Sequence, residues 1–211
     1  VAINSDFRRI LLSETAITSQ TNQIYSFAES VNFIQAGLGT TILAGNNSYT
    51  GKTFVHGGVL RLDSANAIPG GISNTGGTSA IVVEGGVIGL GAGNFSRGLG
   101  SGNDQISFSG NGGFAAYGDN REVNIGGSSL PDLLRFGNNG FVPDGSSLIL
   151  GSHDATHTLS LLNPLDLSAF SQAIRVEDGV TSVEGQLMGG MTGLGRMIKF
   201  GLGTLRLGVS N

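Results

Sequence analysis

The stretch "GLGTTILAGNNSYTGKTFVHGGVLRLDSANAIPGG", residues 37–71, alternates short apolar runs with glycine and asparagine. Its second half reads as a strand, a tight Gly-Gly turn, a second strand and a corner. Successive side chains of a strand point to opposite faces. Thr40, Ile42 and Ala44 alternate with Thr41, Leu43 and Gly45, so one of these two sets should face a core and the other should face outward. Asn46 and Asn47 suit a corner, because asparagine adopts left-handed backbone and caps exposed peptide groups.

The composition extends this pattern to the whole chain. Glycine accounts for 37 of the 211 residues without a Gly-X-Y period, which excludes collagen. A hydrophobic content of 39% excludes a disordered glycine linker, and only 12% of the residues are charged. The absence of cysteine excludes disulfides and thiolate metal sites. These values favour one all-β domain made of short strands and tight turns.

The charge balance limits the partners. The formal net charge is −4, and no basic cluster is available to neutralise phosphates or to bind an acidic membrane surface. No apolar run reaches the 18 or more residues of a membrane helix. We therefore expect no nucleic-acid partner and no membrane insertion by this segment.

Short strand-like runs recur along the whole chain, and helical periodicity is weak. The pattern leaves room for a helical turn or two at 25–36 and 162–174. The runs predicted as strands are Arg9–Leu12, Val31–Gln35, Thr40–Ala44, Thr53–His56, Val59–Leu62, Ala80–Val83, Val87–Leu90, Gln105–Ser109, Glu122–Ile125, Leu133–Phe136, Ser147–Leu150, Thr158–Leu161, Ile174–Val176, Thr181–Val183, Arg196–Phe200 and Thr204–Leu207.

Two architectures combine many short strands with glycine turns, namely antiparallel sandwiches and parallel β-solenoids. Sandwich strands are somewhat longer and bring more aromatic core residues. A solenoid rung consists of a few short strands bent around a stacked core, and its corners need small residues. The pattern favours the solenoid, with rungs of about 20–25 residues.

An internal repeat strengthens this interpretation. "FIQAGLGT" (33–40) aligns with "MIKFGLGT" (197–204), at a spacing of 201 − 37 = 164 residues. Seven of fifteen positions are identical between 33–47 and 197–211: Ile34, Gly37, Leu38, Gly39, Thr40, Leu43 and Asn47. Residues 7–19 also resemble 170–182. Fixed-period similarity indicates a stacked array. We interpret 1–211 as one continuous solenoid segment of about 1.25 repeats, in which 1–47 resembles 164–211.

Residues 37–71 closely resemble the autotransporter-associated β-strand repeat, whose motif runs Gly-x-Gly-Thr-Leu-x-Leu-x-Gly-x-Asn-x-Tyr-x-Gly-x-Thr-x-Val-x-x-Gly-x-Leu. The chain departs from it at Thr41, where leucine is usual. The matching residues are Gly37, Gly39, Thr40, Leu43, Gly45, Asn47, Tyr49, Thr50, Gly51, Thr53, Val55, Gly58 and Leu60. A second copy begins with Gly201, Gly203, Thr204 and Leu207.

The resemblance implies a right-handed parallel β-solenoid that is secreted or attached to the cell surface, and it implies no enzyme. Long-unit arrays of this kind occur in very large exported proteins of planctomycete-type bacteria. The resemblance assigns the motif residues structural roles, and stacking alone accounts for each of them. Tyr49 followed by Gly51, for example, sets a ring beside a corner too crowded for a side chain.

Two stretches could hold a metal, although both are weak candidates. "SHDATHT" (152–158) offers His153 and His157, but its flanks read as strands, so the pair should lie in a loop and not on a zinc-binding helix face. "LGSGNDQIS" (99–107) resembles a calcium-binding nonapeptide in which Asp104 would be a ligand. Such sites need tandem copies, and one is present. We expect polar loops at both places and no cofactor.

The carboxylates are scattered next to glycine, asparagine or serine, as turn residues are. Glu177 and Asp178 are adjacent and point to opposite faces of a strand, so they cannot form an acid–base pair. A catalytic centre is therefore not expected. The alternative function is a carbohydrate-binding or polysaccharide-processing β-helix, which would carry a row of exposed acids or aromatic residues on one face.

The sequence therefore predicts a structural segment of a large extracellular bacterial fibre or surface protein. Units would stack end to end at about 4.8 Å per rung, giving seven or eight rungs per period. The expected partners are copies of itself or adjacent repeats, with surface glycans or neighbouring cells as further candidates. Residues expected in inward-facing stacks are Leu43, Val55, Leu60, Val83, Ile149, Leu159 and Leu207.

Overall fold

The computed structural model describes residues 9–12, 18–20, 31–73, 78–127 and 129–208. These residues form β-strands without any helix, and so include no helical segment able to cross a membrane. The strands are β1 (Arg9–Leu12), β2 (Thr18–Gln20), β3 (Asn32–Gln35), β4 (Thr40–Leu43), β5 (Thr53–Val55), β6 (Val59–Leu62), β7 (Ile81–Val83), β8 (Val87–Leu90), β9 (Gly98–Leu99), β10 (Gln105–Phe108), β11 (Gly112–Ala116), β12 (Arg121–Val123), β13 (Leu134–Arg135), β14 (Ser147–Leu150), β15 (Leu159–Leu161), β16 (Leu165–Asp166), β17 (Ser171–Val176), β18 (Gly185–Leu187), β19 (Met191–Thr192), β20 (Arg196–Phe200) and β21 (Leu205–Leu207).

The strands stack into four parallel sheets, and consecutive strands belong to different sheets except β9 and β10, which pair with each other in one sheet. Sheet A has the order β1-β3-β5-β7-β10-β9, and sheet B the order β2-β4-β6-β8-β11-β14-β17-β20. Sheet C has the order β12-β15-β18-β21, and sheet D the order β13-β16-β19. Parallel pairing between strands of successive turns is the arrangement of a β-solenoid. The predicted all-β solenoid architecture is therefore confirmed.

The sides of a rung change halfway along the molecule. In the first half the chain passes from sheet A to sheet B and returns to A, as in β3–β4 and β5–β6. In the second half it passes from B through C and D and returns to B, as in β14–β15–β16–β17. In the second half, a strand of sheet D comes directly before each strand of sheet B, and in the first half a strand of sheet A holds that place. At the junction the Phe108 amide donates to the Gly140 carbonyl, which joins the end of sheet A to the chain after β13.

The core is a set of side-chain columns that run along the solenoid axis. The column that includes Thr41 on β4 continues through paired residues of five further strands of sheet B. Its members are Thr41, Leu60, Ile88, Phe114, Leu150 and Val176, and all of them are buried. Each inward residue is thus covered by its counterparts on the rungs above and below, which is the physical source of the nearest-neighbour stability of solenoids.

The predicted core positions are confirmed for five residues; for Ile149 the burial is confirmed but not the inward orientation, and for Leu207 the prediction is wrong. Leu43, Val55, Leu60, Val83 and Leu159 are completely buried and belong to the main core. Ile149 and Leu207 differ from the prediction.

Ile149 lies on the outer face of sheet B, because its strand partners Gly113 and Arg175 alternate with the residues that face the main core. It is buried there in a separate cluster of apolar side chains. Leu207 is 45% exposed, because β21 is the outermost strand of sheet C and has a paired neighbour only on the β18 side.

The strand predictions fail at a few places. Residues 181–183 form no strand; the chain pairs instead at β18, two residues later. No helical turn occurs at 162–174, which contains β16 and the start of β17, and within 25–36 the described part contains β3. Six strands were not predicted: β2, β9, β11, β16, β18 and β19. Most of these are short or glycine-rich, and they are strands only because a neighbouring rung pairs with them.

Rung lengths vary more than expected. Along sheet B, paired residues are separated by 19 residues at Thr40–Val59 (59 − 40) and by 36 at Gly113–Ile149 (149 − 113). Extra chain leaves the rung at its corners, so the pairing register continues undisturbed. The sheet includes six strands after β4, up to and including β20. The expected seven or eight rungs per period was therefore too high.

Candidate functional site

The motif stretch forms two consecutive rungs whose turns lie directly on each other. A Cβ atom on Gly58 would come 2.2 Å from the Gly39 carbonyl oxygen, and its φ of 58° also favours glycine. Gly51 is equally crowded, because a Cβ there would lie 2.3 Å from the Val31 carbonyl oxygen. These motif glycines allow one rung to approach the next, which is a structural role.

Asn47 and Tyr49 close the corner of the motif rung from inside. Nδ2 of Asn47 donates to the Ala67 carbonyl at 2.7 Å, on the next rung. The Tyr49 hydroxyl lies 2.6 Å from Oγ1 of Thr53, which lies 2.9 Å from Oγ of Ser79. Burial raises the pKa of Tyr49 to about 12, so the phenol is neutral and holds three parts of the chain together.

Arg97 is a completely buried cation that sequence reasoning missed. Its guanidinium donates to the carbonyls of Pro69, Gly71 and Ser79 at 2.5–2.9 Å. Burial is the main cause of a lowered pKa for Arg97. A buried charge is tolerated only when its donors are satisfied, and here carbonyl oxygens take the place of a carboxylate. Arg97 therefore fastens the corner loop to the core.

The two candidate zinc ligands lie in a loop that crosses the outer face of sheet B. We call residues 151–157 the outer strap. His153 is exposed, and Nδ1 of His157 is hydrogen-bonded to Oγ1 of Thr156 at 2.8 Å. Across the described part of the chain, no group of three or more His, Asp or Glu side chains converges as metal ligands do.

The residue of this stretch that makes the contacts is Asp154. Its carboxylate accepts hydrogen bonds from Tyr117, Ser152 and Thr40 at 2.5, 2.7 and 2.9 Å. Burial alone would raise the pKa of Asp154, but these hydrogen bonds outweigh it and hold the pKa below its usual value. Because Thr40 lies 114 residues away in sequence, the outer strap ties distant rungs together.

The outer strap covers an apolar cluster on the outer face of sheet B. Tyr117 lies with its ring under Arg61, whose guanidinium carbon is 4.6 Å from the ring centroid. Gly89 makes room for the ring, because a Cβ there would lie 2.7 Å from it. The cluster consists of Val59, Val87, Ala115, Tyr117, Ile149 and Ala155. This face of the sheet is therefore a second, smaller core.

The candidate calcium ligand Asp104 is exposed in the turn between β9 and β10. Oε1 of Gln105 accepts a hydrogen bond from the Gly102 amide across that turn, so the stretch is closed by its own groups. The turn borders a cavity of about 480 Å³ at the junction of sheets A and D, and Ser101, Asp132 and Asn139 are polar side chains of its wall besides Gln105.

Several carboxylates lie beside cations and are distributed over different sheets. Asp63 pairs with Arg61, and Glu177 with Arg175 two residues before it. Asp166 accepts from the Ser168 amide and from Arg135, and these contacts lower its pKa. Nδ1 of His56 also contacts the Glu84 carboxylate. Arg135–Asp166 and His56–Glu84 lie between neighbouring rungs, whereas the other two pairs lie within one rung.

The outermost rung, residues 194–207, exposes apolar side chains and two strand edges. Leu194 is 93% exposed and Leu202 89% exposed. In the described structure β20 pairs only with β17, and β21 only with β18. Unpaired edges of this kind accept further strands. The other exposed apolar side chains of this rung are Ile198, Phe200 and Leu207.

Comparison with known proteins matches the motif rungs to one family. Residues 33–62 match the passenger-associated-transport-repeat. No curated protein and no solved structure is significantly similar to the chain. The matched residues include β4, β5 and β6 and nearly all of β3. This repeat is a structural repeat and not a known enzyme family, and it implies a secreted or cell-surface protein. The chain therefore carries an autotransporter-associated repeat, folded as stacked rungs of a parallel β-solenoid.

Proposed function

We propose that this chain is a structural segment of a large extracellular bacterial fibre or autotransporter-like surface protein. It acts as a spacer and adhesive scaffold, in which copies of the unit stack end to end along the solenoid axis. The observation that carries the proposal is the match of residues 33–62 to a passenger repeat, in a region where each rung pairs directly with the next.

The mechanism is mechanical. Each added rung supplies a full set of parallel hydrogen bonds and buries one layer of every inward column, so stability grows with the number of neighbouring rungs. The exposed apolar side chains of 194–207 supply the contact surface for a further rung. The sides of the fibre bind surface glycans or neighbouring cells. The net charge of −4 disfavours binding to nucleic acid.

Imaging and surface labelling test this proposal. Antibody against the purified chain is expected to label intact producing cells, and protease added outside should remove the label. Electron microscopy of the native material is expected to show thin rods with an axial spacing of about 4.8 Å. Label confined to the cytoplasm, or compact particles capped at both ends, would contradict the proposal.

A carbohydrate-binding role is the second candidate, and the cavity at the junction of sheets A and D favours it. Its volume of about 480 Å³ and its polar wall residues Ser101, Gln105, Asp132 and Asn139 suit a small sugar. Calorimetric titration with polysaccharide fragments tests this role. Binding that is lost in Asn139→Leu would support it, and no heat with any fragment would contradict it.

A further inference from the structure

The two copies of the motif occupy different sides of the solenoid. In the first copy β3 belongs to sheet A and β4 to sheet B. In the second copy β20 belongs to sheet B and β21 to sheet C. The preceding strands follow the same change, because β1 pairs with β3 in sheet A and β17 pairs with β20 in sheet B. The second copy of the motif therefore lies one side further around the solenoid axis than the first copy.

A side-chain contact supports the equivalence of the copies. Nε2 of Gln35 donates to the Gly37 carbonyl at 3.1 Å, at the end of β3. At the end of β20, Nζ of Lys199 donates to the Gly201 carbonyl at 2.8 Å. The two pairs are each 164 residues apart (199 − 35 and 201 − 37). Different side chains thus close the same turn in the same way.

The rotation follows from counting turns. From β4 the chain makes six complete turns to reach β20 on the same sheet, because β6, β8, β11, β14, β17 and β20 follow in order. The motif strand equivalent to β4 is β21, one side further on, and a rung of the second half has the three sides B, C and D. One period is therefore six turns plus one third of a turn.

We propose that successive units of the array are rotated by one side of the solenoid. This inference rests on the end-to-end stacking of the proposed function. The interaction surface is the open edges of β20 and β21, and its occupant is the rung formed by residues 53–62 of the following unit. At about 4.8 Å per rung, one unit advances roughly 30 Å along the axis.

The pairing register of this junction can be transferred from the first copy. Ile34 pairs with Phe54, and Leu43 pairs with Leu62. By the 164-residue offset, Ile198 pairs with Phe54 of the following unit, and Leu207 pairs with its Leu62. The exposed Leu207 is then covered in the way that Leu43 is covered. Without rotation, β5 of the following unit would instead continue sheet D beyond β19.

The rotation distributes the surface of each unit around the fibre. The outer strap lies over sheet B in one unit, over the next side in the following unit, and over the third side after that. Three units, roughly 90 Å of fibre, restore the original side. A ligand of any outer surface would therefore find equivalent sites on all sides of the fibre.

Cysteine cross-linking of a tandem chain tests the rotation. The tandem chain is residues 1–211 followed directly by a second copy of 48–211, and the absence of native cysteine makes introduced pairs unambiguous. Paired residues of adjacent strands satisfy the Cα separation of a disulfide. The rotated junction is probed by Ile198→Cys with Phe54→Cys of the second unit. The unrotated junction is probed by Thr192→Cys with the same second-unit change, and the internal control is Ile34→Cys with Phe54→Cys of the first unit.

We expect near-complete oxidation in the control and in the Ile198 variant, and less than a tenth of that yield in the Thr192 variant. Oxidation of the Thr192 variant instead would overturn the rotation and leave stacking intact. If the control oxidises and neither junction does, both the rotation and the end-to-end stacking of the proposed function are wrong. Proteolytic mapping of the bridged peptides identifies each bridge.

Discussion

The hydroxyl of Thr41 donates a 2.6 Å hydrogen bond to Oε1 of Gln35, and both side chains are buried. Nε2 of Gln35 donates in turn to the carbonyls of Gly37 and Gly39, at 3.1 and 3.2 Å. This explains the departure from the motif, in which leucine is usual at position 41. In the second copy the equivalent residues are Lys199 and Leu205, so both members of the pair differ together.

Replacing Thr41 alone should expose this dependence. Thr41→Leu removes a donor from the buried Gln35 oxygen, and we expect the free energy of unfolding to fall by about 1–3 kcal/mol. Gln35→Leu combined with Thr41→Leu should cost less than the sum of the two single changes. Urea unfolding of the four proteins measures the coupling, with the exposed Thr50→Leu as control. Strictly additive costs would contradict the pairing.

Leu60→Asp should destabilise the chain severely. Leu60 is completely buried in an inward column, and an aspartate there would be an unpaired charge in the core. We expect a loss above about 4 kcal/mol, or failure to fold. Leu38→Asp is the matched control, because Leu38 is 78% exposed and the change should be nearly neutral. Equal thermal midpoints for Leu60→Asp and the parent would contradict the solenoid assignment of β6.

Arg97→Lys should be costly although it conserves charge. The guanidinium reaches three separate carbonyls, whereas an ammonium presents its donors at one point and leaves buried oxygens unmatched. We expect a loss of about 2–4 kcal/mol in chemical denaturation. The exposed Arg196→Lys should change stability by less than about 0.5 kcal/mol. A loss of stability no larger than that of Arg196→Lys would show that the three hydrogen-bonded carbonyls do not require a guanidinium.

The outer strap should make stability depend on acid. The hydrogen bonds of Asp154 hold its folded pKa below the unfolded value of about 3.9. Its stabilisation is therefore fully present above that value and is lost as the pH falls through the folded pKa. At pH 7 we expect Asp154→Asn to be about 1–2 kcal/mol less stable than the parent.

Unfolding measured from pH 7 down to pH 2 checks this expectation. The difference between parent and Asp154→Asn should shrink below about pH 4. Asp178→Asn removes an exposed carboxylate and serves as the control. A difference that stays constant with pH would mean that the carboxylate charge does not stabilise the outer strap.

Added metal should leave the thermal midpoint unchanged. His153 is exposed, His157 is hydrogen-bonded to Thr156, and Asp104 lies in a turn closed by Gln105. Differential scanning fluorimetry with zinc or calcium checks this. A zinc-induced rise that disappears in His153→Ala with His157→Ala, or a calcium-induced rise that disappears in Asp104→Asn, would contradict it.

Local sequence was sufficient for features that depend on neighbouring residues. Alternation identified β4, β6 and β8 at or within one residue of their ends, and glycine and asparagine marked the corners. The motif residues 37–60 predicted the repeat that the family match confirms. Strands such as β11 and β18 were missed, because glycine-rich segments become strands only when a rung on either side pairs with them.

Candidate sites were less predictable, because contacts between rungs join residues far apart in sequence. In 152–158 the sequence indicated the two histidines as candidate ligands. The hydrogen bonds that hold this stretch in place are instead made by Asp154, whose partner Thr40 is 114 residues away. Arg97 gave no local signal, because its three acceptors are backbone carbonyls. Ile149 has the alternation of a core residue, but its strand register places it on the outer face, where the outer strap buries it.

By itself the sequence determined the class of fold, the strand and turn periodicity, and the repeat, because these depend on steric and apolar preferences within a few residues. Only the tertiary structure decided which sheet each strand joins and which outer face is covered. The sheet that a strand joins depends on the summed length of all preceding loops, and the spacing between paired residues of sheet B varies from 19 to 36 residues. That sum places the second motif copy on sheets B and C although its residues nearly repeat those of the first.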